Sequence, residues 1–196
     1  MKILNFKNYF ICLSITIVLL ILRTYDPFFI ETARLKSFDY YQRGQEKVKA
    51  DSVCIVEIDE NSLDKYGQWP WPRNIIADSV VKAYESGAAL VVLPILYAEE
   101  DRFKQDEYLI DIMKQVLVVL GQSASTKGKG SPVPRGISVI GTDIDNYLFD
   151  YPEAIGPVKS LGENAAGVGM LATAPELDGV VRRMPLVIQI KGKYYP

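Results

Sequence analysis

The sequence predicts an α/β fold, with a mixed, largely parallel central sheet flanked by helices and one N-terminal transmembrane helix ahead of it. Three observations carry this. An uncharged apolar run, Asn8 to Leu22, lies close to the N-terminus. Two further apolar runs, Val53 to Asp59 and Ala88 to Leu96, read as strands. Between them, Asn74 to Ser86 has the apolar spacing of a helix, and strand–helix–strand at this spacing implies a parallel pair with a right-handed crossover. The 196 residues suffice for one domain of ordinary size plus a tail.

Composition narrows the function classes. The chain is 48% hydrophobic and 23% charged with a net charge of −2, so no basic face exists to hold nucleic acid. It has no histidine, which removes imidazole acid–base pairs and catalytic triads. Only two cysteines remain as soft ligands, which argues against a zinc site. Cys12 falls in the apolar run and Cys54 in the first strand, one in lipid and one in a core, so a disulfide is not expected. Both read as small apolar fillers.

In chain order, the run Asn8 to Leu22 is about 15 residues, short of the roughly 20 that span a bilayer. Ile3, Leu4 and Phe6 extend it on one side, and Phe28, Phe29 and Ile30 on the other. Lys2 and Lys7 favour a cytoplasmic N-terminus, with Arg23 opposing. A cleaved signal peptide is the competitor, but no small-x-small site follows Leu22. Either choice places the remainder outside the cytoplasm, in the periplasm or beyond the cell. The expected organisation is a cytoplasmic N-terminus over 1–7, an inner-membrane anchor over 8–30 and an extracytoplasmic domain over 31–196. That domain begins with an amphipathic entry helix over 31–49.

Val53 to Asp59 reads as a strand buried on both faces. Ser62 to Gly67 suits one helical turn closed by glycine. In Asn74 to Ser86, the stripe Ile76, Val80 and Ala83, joined by Ala77, Val81 and Tyr84, predicts a core-facing helix capped at Gly87. Glu99 to Gln105 is a charged loop, and Leu109, Ile112, Met113 and Val116 mark another helix before a third strand at Val116 to Leu120. Ser123 to Gly136 reads as a flexible loop whose Lys127, Lys129 and Arg135 form a solvated face or, less simply, a phosphate contact. Ile137 to Ile140 suits a short strand and Tyr147 to Pro157 a loop with aromatic anchors. Ala165 to Leu171 and Val180 to Lys191 suit strands, with Asp178-Gly179 as a turn. The chain stops at Tyr194-Tyr195-Pro196, an apparent strand start, which reads as a truncation.

The stretch Trp69-Pro70-Trp71-Pro72-Arg73 organises the rest. Each proline fixes its own φ and restricts the residue before it, so this is a stiff rod carrying two indoles and not a helix interior. It joins a strand to a helix, where open α/β folds place binding sites; the alternative is that the indoles plug a core. Asp59 and Glu60 end the first strand and could hold a cation or a hydroxyl, or cap the next helix. Asp143 and Asp145 do not match a calcium loop. One of Arg182 and Arg183 must point inward, with Asp178 or a first-strand acid as its partner. No nucleophile has an identifiable base.

Taken together, these motifs resemble the CHASE type-2 family, the extracytoplasmic sensory domains of bacterial membrane receptors. Arg34-Leu35 to Asp39-Tyr40 looks like the family's entry helix. Val53 to Ser62-Leu63 is similar to its first strand and acidic-Ser-Leu signature. Gly67-Gln68-Trp69-Pro70-Trp71-Pro72-Arg73 looks like its most characteristic motif. Ser86-Gly87-Ala88, Pro175 to Arg183 and Tyr195-Pro196 also fit. Pro94 stands where the family usually carries an aspartate. Members generally continue into three spans and a cytoplasmic effector, which this sequence lacks.

The resemblance implies a sensory domain of a signal-transduction receptor, not an enzyme, with no cofactor or metal. The residues expected at its ligand site are Asp59, Ser62, Trp69, Trp71, Arg73, Asp178 and Arg182. The ligand would act by shifting a population and reorienting the entry helix. Partners would be a small molecule or an envelope protein, with the membrane held by the N-terminal helix and a homodimer allowed. The competing reading is an orphan envelope protein that binds or scaffolds a partner.

Overall fold

The computed structural model describes residues 6–46, 48, 50–134, 138, 140–141, 144–173, 175–176 and 178–196. The chain divides into two units, Met1–Ile55 with Leu177–Gly179, and Val56–Glu176 with Val180–Pro196.

The first unit holds two helices. α1, Phe6–Tyr25, is 20 residues long, about 30 Å at the α-helical rise and so matched to a hydrocarbon core. Its window Asn8–Tyr25 is long and apolar enough to cross a membrane. The helix breaks at Asp26, with φ 37, and Pro27. Phe28, Phe29 and Ile30 therefore open the second helix, α2, Phe28–Arg43. Arg34 secures the break by donating to Asp26 at 2.7 Å. α2 ends at Gly44 and so is shorter at its C-terminal end than the expected entry helix; Lys47 and Lys49 lie outside the described residues.

The second unit carries α3 (Glu60–Tyr66), α4 (Arg73–Glu85), α5 (Asp106–Met113) and α6 (Lys159–Asn164). Its strands are β1 (Val91–Leu96), β2 (Val118–Ser125), β3 (Asp150–Tyr151), β4 (Glu153–Ile155), β5 (Gly167–Met170), β6 (Ile188–Ile190) and β7 (Lys193–Tyr195). β2 is the central strand. It pairs in parallel with β1 and β5, and its last residues pair antiparallel with β4. A smaller sheet runs β3–β6–β7. The predicted class, a mixed and largely parallel sheet with helices, is the one observed.

The helix from the tryptophan rod onward is as read. Ile76, Ala77 and Val80 are buried, while Tyr84 turns outward. Gly87, at φ 98, reverses the chain with its N–H on Tyr84 O. α4 and α5 lay Ala77, Val80, Leu109 and Met113 on Val118 and Leu120 of β2. Complete burial of a leucine such as Leu109 or Leu161 contributes about 2 kcal/mol. β1 shows one face inward and one outward, and its register slips between Leu93 and Leu96. Pro94 lies inside that slip, having no N–H to give the ladder.

Four expectations are corrected. Val53 to Asp59 is neither a strand nor buried: it has no regular secondary structure and is exposed, with Val53 at 68% and Ile55 at 89%. An apolar run marks a segment that can pair, but a strand also needs a ladder partner, and none pairs with it among the described residues. Cys54 is accordingly exposed and not in a core. Val180 to Lys191 yields only Ile188–Ile190, because Pro185 interrupts the run; Lys191 and Gly192, both at positive φ, then turn it into β7. Tyr147 to Pro157 is not plain loop but contains β3 and β4.

The loop expected from Ser123 is also more ordered than its composition suggests. Lys129 N–H donates to Ala154 O, Gly156 N–H to Lys129 O, and Ser131 N–H to Pro157 O. The buried Gln122 side chain pairs with both backbone groups of Val133. Arg135, Gly136, Asp143 and two of the four residues of the expected strand Ile137 to Ile140, Ile137 and Val139, lie outside the described residues.

Candidate functional site

Asp59 is the cap of α3. Its Oδ1 accepts from the Ser62 N–H at 2.9 Å and from Ser62 Oγ at 2.6 Å, and its Oδ2 accepts from Asn61 Nδ2 at 3.1 Å. The Ser62 hydroxyl, then its amide and Asn61, hold the Asp59 carboxyl below its ordinary range. Asp59 and Ser62 are thus brought together, as the capping alternative required.

α3 closes at Gly67, with φ 88, and that glycine's carbonyl accepts Trp71 Nε1–H at 2.6 Å. Trp71 is thereby satisfied and buried, with the Tyr66 ring edge-on at 5.4 Å. Trp69 meets Trp71 at 5.7 Å and remains 40% exposed; the Trp69–Pro70 bond is cis. The two indoles divide the work: one packs and the other faces outward.

Arg73 opens α4 and binds the loop that follows β1. Its Nε donates to Asp106 Oδ1 at 3.1 Å and its Nη2 to Glu99 O at 3.0 Å. Its guanidinium lies 4.2 Å from the Tyr97 ring centroid. Asp101 Oδ2 accepts the Arg73 and Gln105 backbone N–H groups, and Asp106 Oδ2 accepts the Asp101 N–H at 2.7 Å. With side-chain exposures of 12% and 16%, the Arg73–Asp106 pair is shielded and fastens the start of α4 to the start of α5.

Trp69, Trp71, Arg73, Glu99 and Asp101 border a cleft of about 420 Å³ at the carboxyl end of β1. Trp69, Ile95, Leu96 and Ile155 give it apolar wall. Arg73, Arg102 and Lys129 face Glu99, Glu100 and Asp101 around it, three cations against three anions. Lys129 and Glu99 form an ion pair that holds the Glu99 carboxyl below its ordinary range.

Of the residues expected at the site, Trp69, Trp71 and Arg73 line the cleft, and Asp59, Ser62, Asp178 and Arg182 are not among the lining residues. Asp178 lies 3.9 Å from Lys36 in the first unit. Arg182 is half-buried, and its neighbour Arg183 reaches Glu176 at 3.7 Å. Glu99, Glu100, Arg102 and Lys129 also line the cleft; sequence reasoning did not select the first three and read Lys129 as a solvated face or a phosphate contact. The signal was present for the first three, since a charged loop directly follows the second apolar run. Among the described residues no group of three or more His, Cys, Asp or Glu side chains is placed to hold a metal.

Neither the curated proteins nor the solved structures include a match to this chain. A family model described as the CHASE2 domain, an extracytoplasmic sensory domain of membrane receptors, matches residues 14–196. That span takes in part of α1, the rod, the cleft and both sheets, and on it the chain belongs to the CHASE2 domain family.

Proposed function

We propose that this chain is the sensory part of a receptor, binding a small ligand in the Trp69–Arg73 cleft and performing no chemistry of its own. The cleft carries the reading. It lies at the carboxyl end of a parallel strand pair, where α/β sheets place ligands. Its volume, about 420 Å³, falls in the range of small-molecule sites. Asp101 is occupied by backbone N–H groups and Asp106 by Arg73, which leaves neither poised as a general base. On this reading α1 anchors the chain in the inner membrane with a cytoplasmic N-terminus, and ligand occupancy shifts the population between two states.

A thermal-shift screen of small molecules on the detergent-solubilised chain tests it. A ligand at about 100 times its Kd adds about 2.7 kcal/mol, or roughly 5–10 °C in Tm. The expected hit raises Tm in the native chain and loses most of that effect in Trp69→Ala. Hits that stabilise both proteins equally would remove the cleft from the reading. The exposed run Val53, Ile55 and Val56 favours a second reading, in which an envelope protein is bound there.

A further inference from the structure

We infer that the cleft is built for a small zwitterion bearing an apolar group, an apolar α-amino acid being the simplest example. The inference rests on the cleft being the ligand site and adds the chemistry that it selects. The charges lining the cleft balance, three against three, so the lining offers no net attraction to a ligand of either sign and suits one that carries both. Not all six are available. Arg73 is engaged by Asp106 and the Glu99 carbonyl, and Asp101 by two backbone amides, so these hold the walls.

Lys129 and Glu99 differ. Their side chains are 52% and 72% exposed, and an ion pair in that much water contributes little. A zwitterion can therefore open it at small cost. Its carboxylate takes the Lys129 ammonium and its ammonium takes the Glu99 carboxylate, so one exposed pair becomes two. The two ends stay in place when the pair opens. The Lys129 backbone is bonded to Ala154 and Gly156, and the Glu99 carbonyl is held by Arg73. The apolar group of the ligand then lies against Trp69, Ile95 and Leu96, with the Trp69 indole held between Gln68 and a proline on a rod that cannot slacken.

The test is tryptophan fluorescence of the full chain in detergent, since both tryptophans are in the rod. The probes are L-leucine, 4-methylpentanoate, which lacks the ammonium, and isoamylamine, which lacks the carboxylate. Leucine is expected to give a saturable change, with each single-charge analogue weaker by about tenfold or more. Glu99→Gln and Lys129→Met alter exposed side chains and should each weaken leucine by about tenfold with an unchanged circular dichroism spectrum. No saturation by leucine up to about 10 mM, or equal binding of all three probes, overturns the inference. The two failures separate cleanly. A screen hit lost in Trp69→Ala but indifferent to Glu99→Gln and Lys129→Met sinks the zwitterion and keeps the cleft, while hits indifferent to Trp69→Ala sink the cleft itself.

Discussion

Tyr97 shows how tightly the chain is packed beneath Arg73. It is 1% exposed, lies under the Arg73 guanidinium, and its hydroxyl has no hydrogen-bond partner among the described residues. Burial pushes the phenol up to about 12, with the Arg73 charge pulling the other way. The folded value lies above the unfolded value near 10, so the folded state keeps its proton longer. Stability should therefore be intact below about pH 10 and fall by about 1.4 kcal/mol per pH unit as pH rises towards 12. Tyr97→Phe deletes a buried hydroxyl that has no partner among the described residues, so at neutral pH it should match or exceed the native Tm. It should also lose less Tm than the native chain between about pH 10 and 12. Parallel slopes in circular dichroism melts would mean that the phenol ionises as freely folded as unfolded. At this scale the sequence was informative where covalent stiffness decides, as for Trp71 and Arg73 beside their prolines. It was silent on the pairing of Lys129 with Glu99, because an ion pair across 30 residues leaves no local pattern.

Elements whose partners are near in sequence were legible, and elements that need a distant ladder were not. α4 and α5 came directly from apolar spacing, and Gly87 from its fitness for positive φ. β2 and β5 were found with shifted ends, since a strand boundary is set by the neighbour it pairs with. Val53 to Asp59 failed for the same reason: its composition speaks for burial, while among the described residues it is exposed and has no ladder partner. Hydrogen exchange makes this measurable. Amides in β2, with strands on both sides, should exchange near the global rate, whereas those of Val53 to Asp59 should exchange at the earliest times. Protection of Val53 to Asp59 comparable to β2 would show that the segment finds a strand partner in solution, and the continuous apolar run would have been the better guide.

For the whole molecule, the questions are where it stands and which side of the membrane the cleft faces. Family membership gives an extracytoplasmic sensory domain, and the Asn8–Tyr25 window of α1 is apolar enough to cross a membrane, with none of it buried. The orientation proposed for it can be read from the two cysteines alone. Cys12 lies inside the candidate span and Cys54 in the exposed segment after α2. A charged, membrane-impermeant maleimide needs an accessible thiolate in water, which the hydrocarbon core denies to Cys12. Applied to cells whose outer barrier alone is permeabilised, it should label the native chain once. Cys54→Ser should abolish the label and Cys12→Ser should leave it. Labelling that appears only after the inner membrane is broken would place the cleft in the cytoplasm. The chain would then be reading an internal signal, and the apolar helix would be a tether facing the opposite way.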